Sequence, residues 1–198
     1  MSSLATQVRY TPEEYLELER KAPYKNEYVN GRIFAMSGAN RPHNLIAGNV
    51  FGELRSQLRG RPCEAYVSDM RVKVSPTGLY TYPDIAVACE EILLDDAHND
   101  TLLNPTVLIE VLSPSTEAYD RGEKFAHYRR LESLREYVLI VQDKARVEHF
   151  VRQGEQWVLS ELSGLAGILH LPSIECHLPL KDIYEKIEFP AEAASSAS

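Results

Sequence analysis

The 198 residues include only three cysteines, Cys63, Cys89 and Cys176. The number is odd and no C-x-x-C pair occurs, so neither a disulfide framework nor a zinc knuckle is indicated, and all three are expected as buried thiols. His170, Cys176 and His177 lie close together and are of types that zinc accepts, but their spacing matches no standard finger. No apolar run approaches the ~20 residues needed to span a bilayer, and Met1 to Gln7 lacks a basic stretch followed by an apolar one. No membrane association and a cytoplasmic location are therefore expected. The patterns G-x-x-x-x-G-K, G-x-S-x-G and H-E-x-x-H are all missing, which excludes the phosphate loop, the hydrolase elbow and the zinc helix. Neither a repeat nor a linker interrupts the chain. The simplest organisation is one domain over residues 1–190, followed by a small, polar and disordered tail at 191–198.

Positive charge is scarce as well. The net charge of -8 argues against nonspecific coating of nucleic acid. From Val74 to Glu110 there are seven acids and no lysine or arginine. The flanks are richer in base: Arg41, Arg55, Arg59, Arg61, Arg71 and Lys73 on one side, and Arg121, Lys124, Arg129, Arg130 and Arg135 on the other. That alternation fits an acidic metal centre between phosphate-contacting arms, and it fits solvated helix faces equally well.

What the chain does contain is two carboxylates in unusual places. Asp84 interrupts the β-prone run Tyr82-Pro83-Asp84-Ile85-Ala86-Val87-Ala88, and Glu110 interrupts Val107-Leu108-Ile109-Glu110-Val111-Leu112. A buried carboxylate must be neutralised, hydrogen-bonded or bound to a cation. Each acid alone could salt-bridge an arginine or cap a loop, but two on adjacent strands point to a divalent metal. Pro83 favours an edge, a strand start or a bulge, where a side chain can be re-aimed.

Around these acids the pattern predicts an α/β fold with a mixed sheet flanked by helices. Thr11-Pro12-Glu13-Glu14 opens a helix running to about Lys21. Asn26 to Met36 forms a hairpin turning at Asn30-Gly31. A second helix starts near Pro42, with Ile46, Val50, Leu54 and Leu58 on its inner stripe and Gly60 as a stop. Gly48 and Gly52 on one line of that helix would let another backbone come close. Strands are predicted over Glu64–Val74, about Tyr80–Ala88 and Thr106–Leu112, with an acidic loop from Glu90 to Asn104. A helix from about Ser115 to Leu131 follows, then strands over Glu136–Val141, Arg146–Val151 and Gln156–Leu162. Leu178 to Ile187 reads as a short strand and a helical turn.

Tyr82-Pro83-Asp84, then Glu110-Val111-Leu112, then a helix bearing Lys124 resembles the PD-(D/E)XK nuclease superfamily. More closely, the chain resembles a large bacterial family of restriction endonucleases, the Uma-two family. The likeness runs from Thr11-Pro12-Glu13-Glu14-Tyr15 through Glu27-Tyr28-Val29-Asn30-Gly31 and His43 to Ile109-Glu110-Val111-Leu112-Ser113-Pro114-Ser115-Thr116, then to Asp120, Lys124, Tyr128 and Glu136-Tyr137-Val138. It implies a restriction-endonuclease-like fold and hydrolysis of DNA phosphodiester bonds. It also implies Mg²⁺, with Mn²⁺ able to substitute, held by Asp84, Glu110 and the carbonyl of Val111. A homodimer is expected, because cutting two antiparallel strands suits two-fold symmetry.

One position departs from that pattern. Leu112 stands where the superfamily carries a lysine, and leucine can neither orient a water nor donate to a phosphate. Lys124 is the substitute the resemblance implies, against the plainer reading of an i, i+4 pair with Asp120. Glu27 and His43 match family positions and join the candidate catalytic set of Asp84, Glu110 and Lys124, although a hairpin surface acid and a helix-start histidine would look the same. Asp69 and Lys73 share one face of their strand and could reach the same centre. The rival reading is a catalytically silent nucleic-acid-binding or interaction module that keeps the fold.

Overall fold

A computed structural model describes residues 8–190, so the tail expected at 191–198 lies outside the described residues. Helix α1 (Pro12–Glu19) begins with a full capping box, in which the Thr11 hydroxyl accepts from the Glu14 N–H and the Glu14 carboxylate accepts from the Thr11 N–H. Strands β1 (Asn26–Val29) and β2 (Arg32–Ala35) form the expected hairpin. Asn30 and Gly31 turn it with φ of 49° and 84°, the left-handed pair a type I′ turn requires. Helix α2 (Arg41–Gln57) starts where the Asn40 side chain accepts from the His43 N–H. Gly48 and Gly52 on α2 face open space: a methyl group added at either would meet nothing within 4 Å, so the close backbone approach is absent.

Two stretches that read as single strands are each broken in the fold. Glu64–Val74 divides into β3 (Cys63–Val67) and β4 (Arg71–Val74). Tyr80–Ala88 divides into β5 (Leu79–Thr81) and β6 (Ile85–Cys89), because Pro83 has no N–H to give a ladder and ends the pairing on either side. Each break sends the chain from one sheet to another. The acidic loop carries a two-residue strand, β7 (Thr101–Leu102), and leads to β8 (Val107–Val111). The next helical segment is α3 (Glu117–Tyr119), a π-helical turn over Asp120–Lys124, and α4 (Phe125–Tyr128). Strands β9 (Glu136–Ile140), β10 (Arg146–Gln153) and β11 (Gln156–Ser163) follow, then β12 (Ile168–Leu171), β13 (Cys176–Pro179) and α5 (Leu180–Ile183).

The strands make a five-stranded sheet, β2-β1-β5-β4-β7, a six-stranded sheet, β11-β10-β9-β8-β6-β3, and the pair β12-β13. In the six-stranded sheet β8 and β9 run parallel and the other pairs antiparallel. Its central strands are buried on both faces, which explains their near-continuous apolar runs. Ile85, Val87, Ile109, Val111, Val138 and Ile140 meet α2 and the β12-β13-α5 unit. The alternate residues, Ala86, Ala88, Leu108, Leu112 and Leu139, meet α4 and residues of the five-stranded sheet.

The cysteines depart from expectation. The β3–β6 register sets Cys63 directly opposite Cys89, their Cα atoms 4.0 Å apart, and they form a disulfide. Only Cys176 is a buried free thiol. His170 and His177 are opposed across β12 and β13 with their Nδ1 atoms 2.7 Å apart, while Cys176 turns into the core, so these three groups do not converge.

Candidate active site

Continuing the register that pairs Ile85 with Ile109 puts Asp84 opposite Glu110, so the two strand acids are cross-strand neighbours. Asp84 precedes β6 at the break made by Pro83, and both its oxygens are held. Oδ2 accepts from the Val111 N–H at 2.7 Å, and Oδ1 lies 2.7 Å from His43 Nε2 at the start of α2. Glu110 points to the opposite face from Ile109 and Val111 and is 4% exposed. Its Oε1 accepts from the Tyr128 hydroxyl at 2.9 Å and from Lys124 Nζ at 2.8 Å.

Lys124 gathers the remaining acids. Its ammonium lies 3.4 Å from Glu27 and 3.4 Å from Asp120, and Glu27 also accepts from the Thr81 hydroxyl. Asp120 and Lys124 bound the π-helical turn, and both are buried. Such turns are rare and recur at functional sites. Asp84, Glu110, Val111, Lys124, Glu27 and His43 therefore all line one cleft of about 910 Å³.

Four carboxylates share this cleft with one buried ammonium, and the imbalance governs the electrostatics. Burial pushes the Glu110 carboxyl well above its usual range; Lys124 opposes the shift, while Asp120 and Asp84 add to it. Asp120 is raised by burial as well. Burial disfavours the Lys124 ammonium, yet Glu110, Glu27 and Asp120 outweigh it and hold its pKa well above the ordinary lysine value. Burial is the main cause for the two carboxyls and the neighbouring acids the cause for Lys124, so the cleft holds its protons tightly. Among the described residues no three His, Cys, Asp or Glu side chains form a ready metal cage; the acids surround Lys124 instead.

Three further residues also line the cleft. Asp120 had a signal in its i, i+4 spacing to Lys124, but a surface pair and a buried one look alike in sequence. The Tyr119 hydroxyl is buried with no hydrogen-bond partner among the described residues. Gln142, just past β9, donates to the Leu112 carbonyl at 2.6 Å and lies 3.4 Å from His43 Nδ1. Nothing in the sequence marked it. Leu112 itself belongs to the apolar cluster with Phe125 and Val141, which suits leucine and not lysine.

Of the basic flank residues, Lys124 alone lines the cleft. Arg55, Arg59 and Arg61 sit at the far end of α2 from His43, and Arg61 pairs with Glu175. Lys73 pairs with Asp95, and the exposed Asp69 pairs with Lys25, so neither Asp69 nor Lys73 joins the centre.

The family model described as "Putative restriction endonuclease", Uma2, matches residues 12–181. This chain belongs to the Uma2 family. The matched span takes in every residue of the cleft. Two Synechocystis proteins, both described as uncharacterized, are similar over most of their length. One, sll1609, is 38% identical over 165 residues, which is 83% of this chain and 93% of the relative. The other, slr1290, is 32% identical over 182 residues, 91% and 94% respectively. A crystal structure of a "putative nuclease belonging to DUF820" from Anabaena variabilis superposes with a TM-score of 0.71 at 21% identity, covering 88% of this Uma2 chain and 97% of the other. The family match and this likeness together give the restriction-endonuclease-like α/β fold, in which the mixed six-stranded sheet carries the cleft.

Proposed function

We propose that this Uma2 protein is a metal-dependent endonuclease that hydrolyses DNA phosphodiester bonds. The observation that carries this reading is the convergence of Glu110, Glu27 and Asp120 on the single ammonium of Lys124, beside Asp84, inside an open cleft. An acidic cluster in such excess wants a further cation, and hard carboxylate and carbonyl oxygens suit Mg²⁺, with Mn²⁺ as a substitute. Asp84, Glu110 and the Val111 carbonyl would hold it. When bound, such an ion makes hydroxide accessible near neutral pH and offsets charge on the reacting phosphate.

The chain supplies the rest. His43 and the Val111 N–H fix the Asp84 carboxylate in place. Tyr128 and Lys124 both engage Oε1 of Glu110, which leaves Oε2 free for a cation. Glu27 and Asp120 keep Lys124 protonated and aimed at the centre, where it donates to the attacking water or the scissile phosphate.

The test is nicking of supercoiled plasmid and of single-stranded circular DNA in Mg²⁺ or Mn²⁺. Asp84→Asn and Glu110→Gln should each lower the rate by ~10³ or more, by removing the charge that holds the ion, and EDTA should stop the parent protein. If either variant cuts as fast as the parent, the site is wrongly assigned. A parent that binds DNA and cuts none of it returns the chain to the binding-module reading.

A further inference from the structure

We propose that the cleft takes an unpaired DNA strand, with a nucleobase seated against Phe34 beside the carboxylates; this rests on the endonuclease reading above. The hairpin register pairs Glu27 with Phe34 and Val29 with Arg32, so these four side chains share one face of β1 and β2. The other face, with Tyr28 and Ile33, packs on α1. Because Glu27 reaches Lys124, the face bearing Phe34 and Arg32 is the one turned to the acids.

Phe34 is 42% exposed, belongs to none of the apolar clusters and lines the cleft, with the Arg32 guanidinium 5.0 Å from its ring centroid. Val67, the last residue of β3, also lines the cleft, 46% exposed and likewise outside the clusters. Strands β2 and β3 are edge strands of the two large sheets, so one apolar side chain marks the rim on each. The fold gives neither residue a packing role. A flat ring beside a phosphate-cutting centre is what an unstacked base uses, and aromatic stacking is worth roughly 5- to 150-fold in affinity per base.

Charge points the same way. Among the described residues, Lys25 and Lys124 are the only lysine or arginine side chains lining the cleft, against Glu27, Asp84, Glu110 and Asp120. Duplex DNA carries a charge every ~1.7 Å of its axis, and its specific partners are strongly positive. Nearby, Arg71 is taken up by Asp100 and Lys73 by Asp95, while Arg32 stacks on Phe34. A single strand brings half that charge and bends to present one phosphate.

The experiment measures binding in Ca²⁺ of an oligonucleotide carrying 2-aminopurine, as a single strand and as its duplex. The single strand should bind at least tenfold tighter, with its fluorescence quenched by stacking. Phe34→Ala should weaken the single strand by about tenfold and leave the thermal midpoint unchanged, and Phe34→Trp should restore the affinity. Equal affinity for both forms, or an unaffected Phe34→Ala protein, overturns the inference. Binding is read without cleavage, so the two readings fail separately. A protein that prefers the single strand and cuts nothing sinks only the endonuclease reading, and one that cuts plasmid with Phe34→Ala unimpaired sinks only this inference.

Discussion

Glu110 and Glu136 are both glutamates buried in neighbouring strands of the same sheet, one on each face, and their surroundings differ in kind. Glu136 is fully enclosed: Oε2 meets His149 at 2.5 Å, and Oε1 accepts from the Ser173 N–H at 2.7 Å and from the Ser173 hydroxyl. Its donors match its oxygens, and it does not border the cleft. Glu110 has both of its partners on one oxygen, stands among three other carboxylates and borders open space. Burial is common to the two. Unmatched charge with access to solvent is what separates a candidate for chemistry from a structural anchor.

Substitutions can break or sharpen that contrast. Lys124→Ala has the largest expected effect, because it strips the shared cation from three carboxylates. Breaking such a buried cluster costs about 3–5 kcal/mol, and loss of the donor should slow cleavage by ~10². Urea denaturation with and without Mg²⁺ checks it: added metal should recover part of the lost stability. A midpoint indifferent to both the substitution and the ion would mean that the acids need no cation.

Glu136→Ala should come next, at about 2–3 kcal/mol, since it leaves the buried His149 ring without its partner and removes the acceptor of the Ser173 donors. Its folded fraction should cut DNA at the parent rate, read by activity titrated against native protein. A defect in turnover beyond the unfolded fraction would erase the distinction between the two glutamates.

Asp100 supplies the small end of the scale. Hydrogen bonds from Arg20 hold its carboxyl below the usual range, against burial that raises it, with Thr101 and Arg71 assisting. A depressed folded pKa gives stability that is present above the unfolded value of about 4 and is lost as pH falls below it. Asp100→Asn should cost about 1 kcal/mol at pH 7, with the gap from the parent closing in acid. Thermal melts at pH 7 and pH 3 measure it; a gap that widens in acid contradicts the sign.

Asp84 and Glu110 were legible in the sequence because each acid breaks an apolar run, and the Asn30-Gly31 hairpin because few other residue pairs make that turn. Lys124 needed the resemblance, since spacing alone fits a surface pair with Asp120. Glu136 heads the run Glu136-Tyr137-Val138-Leu139-Ile140, which looks much like the one around Glu110. Only the partners supplied by β10 and the Pro172–Ile174 turn tell them apart. The Cys63–Cys89 bridge spans 26 residues and depends on the β3–β6 register, which in turn depends on the chain breaking at Pro83. Strand β12 and the role of Gln142 left no local pattern, because alternation over four residues and a lone amide are too common to read.

The break at Pro83 also works as a mechanical joint. Strand β5 is bonded to β1, and one step beyond β5 the chain reaches Tyr82, Pro83 and then Asp84. Any tilt of the hairpin sheet, such as a ligand pressing on Phe34 would produce, arrives at the Asp84 carboxylate through two residues. One of those has its φ locked by a ring. With so little slack, the hairpin sheet and the Asp84 carboxylate are joined by a short, stiff link.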